Sequence, residues 1–509
     1  MSYLVPKQYT YLNLARNLLP PLTFTCLLWM TSINPVNLWQ LALCVALLVI
    51  PWSSYLRWQR QKNNALPVFA MLSLMYWLYY AVALFWGDLT LRMARFVFAH
   101  ESSPRFLSLA LLMCLVGLAS LWIGMKSRIG RRIVPKTIPY LNEKRAQRNY
   151  LRAVLIASAL LSVLEPSTYM LGEGGRQLIS LVMSFIPLLA FTLMFRLYLR
   201  RQATQLDKLL VFGFLMVRLV VGLSSGWLAN AASIMIICAA AYIAERNKIP
   251  RLAVIMVLLF TLFFQVGKEE FRSVYWYQQS QTPATQLDRV SFWVNASLEK
   301  WQSALTDPSG ADFRELLNKS VSRVSLLAQS ANVLEQTPDA VPYQYGQLYS
   351  YLVITFIPRF VWPEKPSVSE ANRFYQVAYG LTAEEDLNNV AIGVGILTES
   401  FISFGWLGVI GIMFLVGIFF DFYQAAFLSK TSGVLMTSMG IALLPQMLGI
   451  ESQMATYVGG IVQQVGLSLL VFLPIIKWRR ARPVKFRNIP GTQVDQTPSA
   501  IPINAGARS

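Results

Sequence analysis

Apolar runs of roughly 17–25 residues recur almost from end to end of this chain, and each is long enough to cross a bilayer as a helix. That pattern leaves little choice of fold. In lipid every backbone polar group must be satisfied within the chain, so a spanning segment is a helix or part of a closed barrel. A barrel needs alternation over segments of about ten residues, and none is visible. Charged residues make up 14% of the 509 residues, against about 25% in a soluble domain. The expected fold is all-α, a polytopic integral membrane protein with about twelve transmembrane helices. The runs lie near 17–33, 38–56, 66–86, 106–125, 153–170, 178–196, 209–225, 227–244, 252–266, 395–420, 434–450 and 454–476.

Lysine and arginine set the expected orientation, because cytosolic linkers carry an excess of them. The linkers at 57–62 and 126–152, Arg196–Lys208, Arg246–Arg251 and the stretch from Lys477 to Arg487 are basic. The alternate linkers are poorer in cations, although 87–105, with Arg92, Arg95 and Arg105, is a mild exception. Both termini come out cytosolic. The chain divides into a membrane bundle over 1–266 (about nine spans), an extracytoplasmic loop region over 267–394, about three spans over 395–476, and a basic, then disordered, cytosolic tail over 477–509. The first apolar run lacks a clear small-residue cleavage site for a signal peptide.

The loop region has helical periodicity of its own. Thr282–Pro283 reads as an N-cap and N1 proline, ahead of a stripe of Leu287, Val290, Val294, Leu298, Trp301 and Leu305. Ser309 and Asp312 suggest a capping box, ahead of Phe313, Leu317, Val321, Val324, Ala328 and Ala331. Residues 345–362 are apolar but broken by proline, which predicts a re-entrant or interfacial helix.

Several chemistries are disfavoured. Cys26, Cys44, Cys114 and Cys238 all fall in apolar runs with no CxxC spacing, and His100 is the single histidine. A zinc site, a His-based metal site and a Ser-His-Asp triad lack their residues, and no metal or cofactor is expected. The net charge of +19 is spread over short linkers, as membrane topology requires, so nucleic acid is not the expected partner.

The unusual charges gather on one side. Arg218 stands inside "FGFLMVRLVVGLSSGW", seven residues before Ser225, or about 10 Å below the outer end of its helix. An arginine at that depth must face a cavity or a carboxylate. "VGKEEFR" brings Lys268, Glu269, Glu270 and Arg272 to the end of the ninth run. Arg323 flanks the second loop stripe, and Arg359 and Lys365 sit among the prolines of "IPRFVWPEKP". Glu399 opens the tenth run in "GILTESFISFGWLG". Each has a plainer structural reading, as an ion pair, an interfacial charge or a helix-start carboxylate. Together they describe a cationic external cavity suited to an anionic headgroup such as a diphosphate.

From Arg218 to about Gly417 this order of features resembles the bacterial O-antigen polymerase (Wzy-type) and oligosaccharide repeat-unit polymerase family. The motifs are "VGKEEFR", the Arg323 helix, "YGQLYSYLVITFIPRFVWPEKP" and "GILTESFISFGWLG", and IPR…WP.KP is the most specific of them. The resemblance implies a metal-independent glycosyltransferase similar to the C-type enzymes. Such an enzyme joins polyprenyl-diphosphate-linked glycan units at the outer face of the inner (cytoplasmic) membrane and releases polyprenyl diphosphate. It implies roles toward diphosphate and glycan for Arg218, Arg272, Arg323 and Arg359, and a chain-length regulator and a flippase as partners. Lys268, Glu269 and Lys365 join the candidate binding set, and Arg359 and Arg272 the catalytic set. Glu399 is the first choice for the base, with Glu269 and Glu270 behind it. A ligase for lipid-linked glycan, a polysaccharide flippase or exporter, and a non-catalytic scaffold remain rival readings.

Overall fold

A computed structural model describes residues 5–61, 64–92, 99–141, 145–163, 172–277, 284–357, 362, 364–387 and 392–480. A helix stands at each of the twelve apolar runs: Val5–Met30, Leu38–Gln61, Val68–Trp86, Pro104–Lys126, Arg145–Val163, Gly172–Leu199, Gln205–Ser224, Leu228–Arg246, Arg251–Val266, Ile396–Phe427, Gly433–Met447 and Met454–Phe472. Among the described residues, seven helices are long and apolar enough to cross a bilayer, or eight if Arg251–Val266 and Lys268–Trp276, bent by 55°, form one broken span. The protein is a polytopic helical membrane protein. Gly433–Met447 is shorter than a full crossing at 15 residues, and Gln205–Ser224 carries Asp207, Lys208 and Arg218.

The bilayer reading explains what the surface exposes. On the Arg251–Val266 helix only Phe264 is buried, while Leu252, Ile255, Met256, Leu258 and Leu259 face outward. A soluble protein rarely leaves so large an apolar face uncovered. Inside, the Pro104–Lys126 helix packs along Ile396–Phe427 with almost no separation. A Cβ on Gly124 would strike the Phe414 carbonyl, and one on Gly417 the Leu121 carbonyl. Small residues at such a crossing bring the backbones into contact, which supplies the packing energy that lipid cannot.

Charged contacts pin one end of the bundle. Arg131 donates from Nε to Asp421 at 2.6 Å and from its backbone N–H at 3.0 Å, and Asp421 is buried. Glu245 accepts from Arg196 and Arg200, and Arg196 also donates to Ser438. Thr137–Leu141 pairs antiparallel with Ile476–Arg480 at this end, so the 126–152 linker and the start of the 477–509 stretch lie on the same side. The beginning of that stretch is therefore an ordered strand. Thr90–Arg92 and Ala99–Glu101 form the second small pair.

The loop helices differ from the expected stripes. Thr282 and Pro283 lie outside the described residues. The first loop helix, Gln286–Thr306, is capped by Thr285, which accepts from the Asp288 N–H while the Asp288 side chain accepts from the Thr285 N–H. It buries Trp293, Ala296, Ser297 and Ala304 and leaves Leu287, Leu298 and Leu305 exposed. Trp293 anchors the packed face, its Nε1 donating to the Phe264 carbonyl at 2.8 Å, while the small residue Ser297 lets the helix approach Gly267 closely. The second stripe is broken into Ala311–Ser322 and Leu327–Gln336. The latter sinks into the bundle, where Ser330 links the Tyr80 and Thr398 hydroxyls at 3.0 and 2.8 Å.

Asp307 anchors the start of Ala311–Ser322 together with Ser309, whose hydroxyl oxygen accepts from the Ala311 N–H at 3.2 Å. Asp307 accepts from the backbone N–H of Asp312 and of Ser309 and from the Ser309 hydroxyl. These bonds hold its carboxyl at about 2, below the ordinary carboxylate value. A depressed folded value contributes stability above about pH 4, which is lost as pH falls toward 2. Hydrogen exchange of Ala311–Ser322 is therefore expected to accelerate over that window in the wild type. Asp307→Asn is expected to exchange faster at neutral pH and to lose that dependence.

Candidate functional site, a buried carboxylate beside a cationic cavity

The site begins with a reversal in the chain. The Ile396–Phe427 helix is broken at Phe404 and Gly405, where Gly405 has φ +60° and ψ −146°. A Cβ on Gly408 would strike the Ser400 carbonyl, and one on Gly117 would meet both Leu397 and Met413. In a straight helix those pairs would be about 12 and 24 Å apart. Residues 396–403 therefore fold back on the segment that follows as a short half-helix. The expectation of a single uninterrupted run over 395–420 is corrected here.

The half-helix carries Glu399 inward. Its side chain is fully buried, and Oε2 accepts from the Met454 backbone N–H at 2.7 Å. Oε1 is buried with no hydrogen-bond partner. The Tyr349 side chain lies within electrostatic reach of the carboxylate. A buried carboxylate oxygen without a donor is costly in a purely structural role.

The turn between Gly433–Met447 and Met454–Phe472 connects Glu399 to the cations. Met454 holds Glu399, while the Glu451 carbonyl accepts from the Gly395 N–H at 3.1 Å. The Glu451 carboxylate lies within electrostatic reach of Lys268, as do Arg272 and Arg323. A cavity of about 250 Å³ opens beside them, lined by Lys268, Glu269, Lys300, Glu315, Lys319 and Arg323 among others. Lys300 is paired with Glu270 at 3.0 Å, and Lys319 with Glu315 at 2.7 Å. Neither Lys268 nor Arg323 stands in an ion pair among the described residues. One is a compact ammonium and the other a planar fork, a combination that matches phosphate oxygens well.

The remaining candidates are placed differently. Arg272 lies against two indoles, 4.0 Å from the Trp276 ring and 5.1 Å from Trp227. That contact places the guanidinium charge over the indole faces. Arg218 is half-buried in its helix, with no ion pair among the described residues, and does not line the Lys268 cavity. Arg359 lies outside the described residues. Its flanks enter the bundle: the Thr355 carbonyl accepts from Gln463 at 2.8 Å, and Thr355 packs on Gly459. Lys365 is buried and donates to the Ile357 carbonyl at 2.8 Å. That bond ties Lys365 back to the end of the described segment 284–357. Sequence reasoning missed Glu451, Lys300 and Lys319. A lone acid in the three-residue linker 451–453 was the available signal for the first.

Fold and site thus define a helical membrane protein in which a buried carboxylate and a cationic cavity flank one interhelical turn. The sequence matches the family model of a domain of unknown function (DUF8712) over residues 69–433, and the chain belongs to that family. The match takes in the Glu399 half-helix and both unpaired cations, but not Glu451 or Met454. No curated protein and no solved structure matches the chain.

Proposed function

We propose that this protein is a metal-independent glycosyltransferase that polymerises polyprenyl-diphosphate-linked oligosaccharide units at the outer face of the cytoplasmic membrane. All twelve apolar helices cross or enter the bilayer in this reading, and both termini are cytosolic. One observation carries it: Lys268 and Arg323, from segments far apart in sequence, meet unpaired in one cavity, next to the turn that holds Glu399. The acceptor hydroxyl oxygen forms a bond to the anomeric carbon of the donor. The bond from that carbon to the diphosphate oxygen breaks, and its electron pair leaves with the diphosphate. Glu399 takes the hydroxyl proton. Lys268 and Arg323 stabilise the departing charge, as fixed donors do in other transfers. The resemblance adds Arg359, Arg272 and Arg218 to the glycan and diphosphate contacts. The polymer feeds surface or exopolysaccharide synthesis, with a flippase supplying units and a regulator setting length.

Glycan length in a deletion strain tests this. Single lipid-linked units are expected without the gene, and long chains on complementation. Unligated long chains would instead indicate a ligase, and accumulation on the cytosolic side a flippase. Lys268→Ala with Arg323→Ala is expected to lower chain extension by about 10²–10³-fold at unchanged protein level, the scale of losing positioned charge stabilisation. Normal chain length from that variant overturns the assignment of the cavity.

A further inference from the structure

A second basic pocket lies at the opposite end of the bundle, and the glycan reading makes no use of it. It has a volume of about 180 Å³ and is bounded by the Leu38–Gln61 helix, the start of Val68–Trp86, the end of Pro104–Lys126 and the turn after it. Among the described residues, three cations line it, Arg57, Lys126 and Arg131, and no lining residue is acidic. Arg131 commits its Nε to Asp421. Arg57 and Lys126 are exposed and stand in no ion pair among the described residues. With Arg131 compensated by Asp421, Arg57 and Lys126 are two like charges at one opening, which repel each other unless an anion sits between them.

The surroundings indicate what that anion is attached to. Trp58 and Trp122 line the pocket, and Lys126 Nζ lies 5.9 Å from the Trp122 ring. Trp52, Tyr55 and Trp58 follow one another along their helix with ring centroids 6.2 Å apart, an aromatic row of the kind that marks a membrane interface. Trp122 and Ile123 are exposed beside the opening, so the pocket meets the apolar surface and is not isolated in water. We propose that it binds the headgroup of an anionic phospholipid, with Arg57 and Lys126 on the phosphate and Arg131 held in place by Asp421. Basic pockets between helix ends are suited to such headgroups. This inference uses the membrane character of the fold and is independent of the glycan chemistry.

The test uses the full chain in nanodiscs of phosphatidylcholine doped with phosphatidylglycerol, released and weighed by native mass spectrometry. Wild type is expected to retain phosphatidylglycerol preferentially. Arg57→Gln with Lys126→Gln is expected to reduce that preference by about tenfold or more, the scale of two interfacial charges. Arg57→Lys with Lys126→Arg is expected to keep it, as is Arg132→Gln, an exposed cation outside the pocket. If the glutamine pair does not fold, each single glutamine variant is expected to show a partial loss. Unchanged retention in the folded glutamine variants overturns the proposal. An equal loss in Arg132→Gln overturns it in favour of general surface charge. Displacement of the lipid by inorganic phosphate at equal concentration overturns it in favour of a soluble anion.

Discussion

Glu399→Gln is expected to lower glycan chain extension by about 10²–10⁴-fold, the usual contribution of a positioned general base, while the protein still folds. The substitution is chosen for the hydrogen bonds it keeps. A glutamine carbonyl oxygen can still accept from the Met454 N–H, now received by Oε2 at 2.7 Å, so the half-helix stays tied to the turn. What is lost is the ability to take a proton. Unfolding temperature in detergent and chain length in the deletion strain are read together. A stable variant that extends chains normally removes Glu399 as the base and leaves Glu269 and Glu270 as the remaining carboxylates. A variant that loses both stability and activity points to a structural anchor. Glu399→Asp separates these readings further: it keeps an ionisable group but shortens its reach, so extension is expected to fall less than in the glutamine variant.

Legibility in the sequence followed what each signal depends on. Each long apolar run coincides with a helix, because run length and bilayer thickness are tied by helix geometry alone. The reversal at Phe404–Gly405 was not legible. Residues on both sides of it are apolar, so a half-helix followed by a helix has the composition of one long span. Gly405 and Gly408 lie within that span, yet glycine spacing does not say whether two helices meet or one helix folds back. The cavity was half legible. Lys268, Glu269 and Arg323 stood out as charges beside apolar stripes, and they do line one cavity. The depth of Leu327–Gln336 was not legible, because a hydrophobic stripe gives the face of a helix and not what it packs against. Lys365 shows the same limit. Its position among prolines suggested a presented cation, whereas its ammonium is turned back onto the Ile357 carbonyl.

Gly405→Val is expected to be among the most destabilising single substitutions in the chain. The glycine combines φ +60° with ψ −146°, a region that residues bearing a Cβ essentially do not occupy, at about 1–3 kcal/mol. A Cβ there would also lie 2.9 Å from the Tyr343 hydroxyl, and overpacking adds about 1–3 kcal/mol more. Relief is poor, because Gln344 and Tyr345 donate to the Ile402 and Ser403 carbonyls and fix the loop that carries Tyr343. A drop in unfolding temperature in detergent is expected, along with lower protein in the membrane. Tyr343→Ala in the same chain is expected to recover only the steric part, since the backbone cost stays. Full recovery by Tyr343→Ala would show that the turn tolerates a Cβ. In that case the reversal is held by the packing of Gly408 on Ser400, and Gly408→Ala becomes the substitution that releases it and carries Glu399 away from Met454.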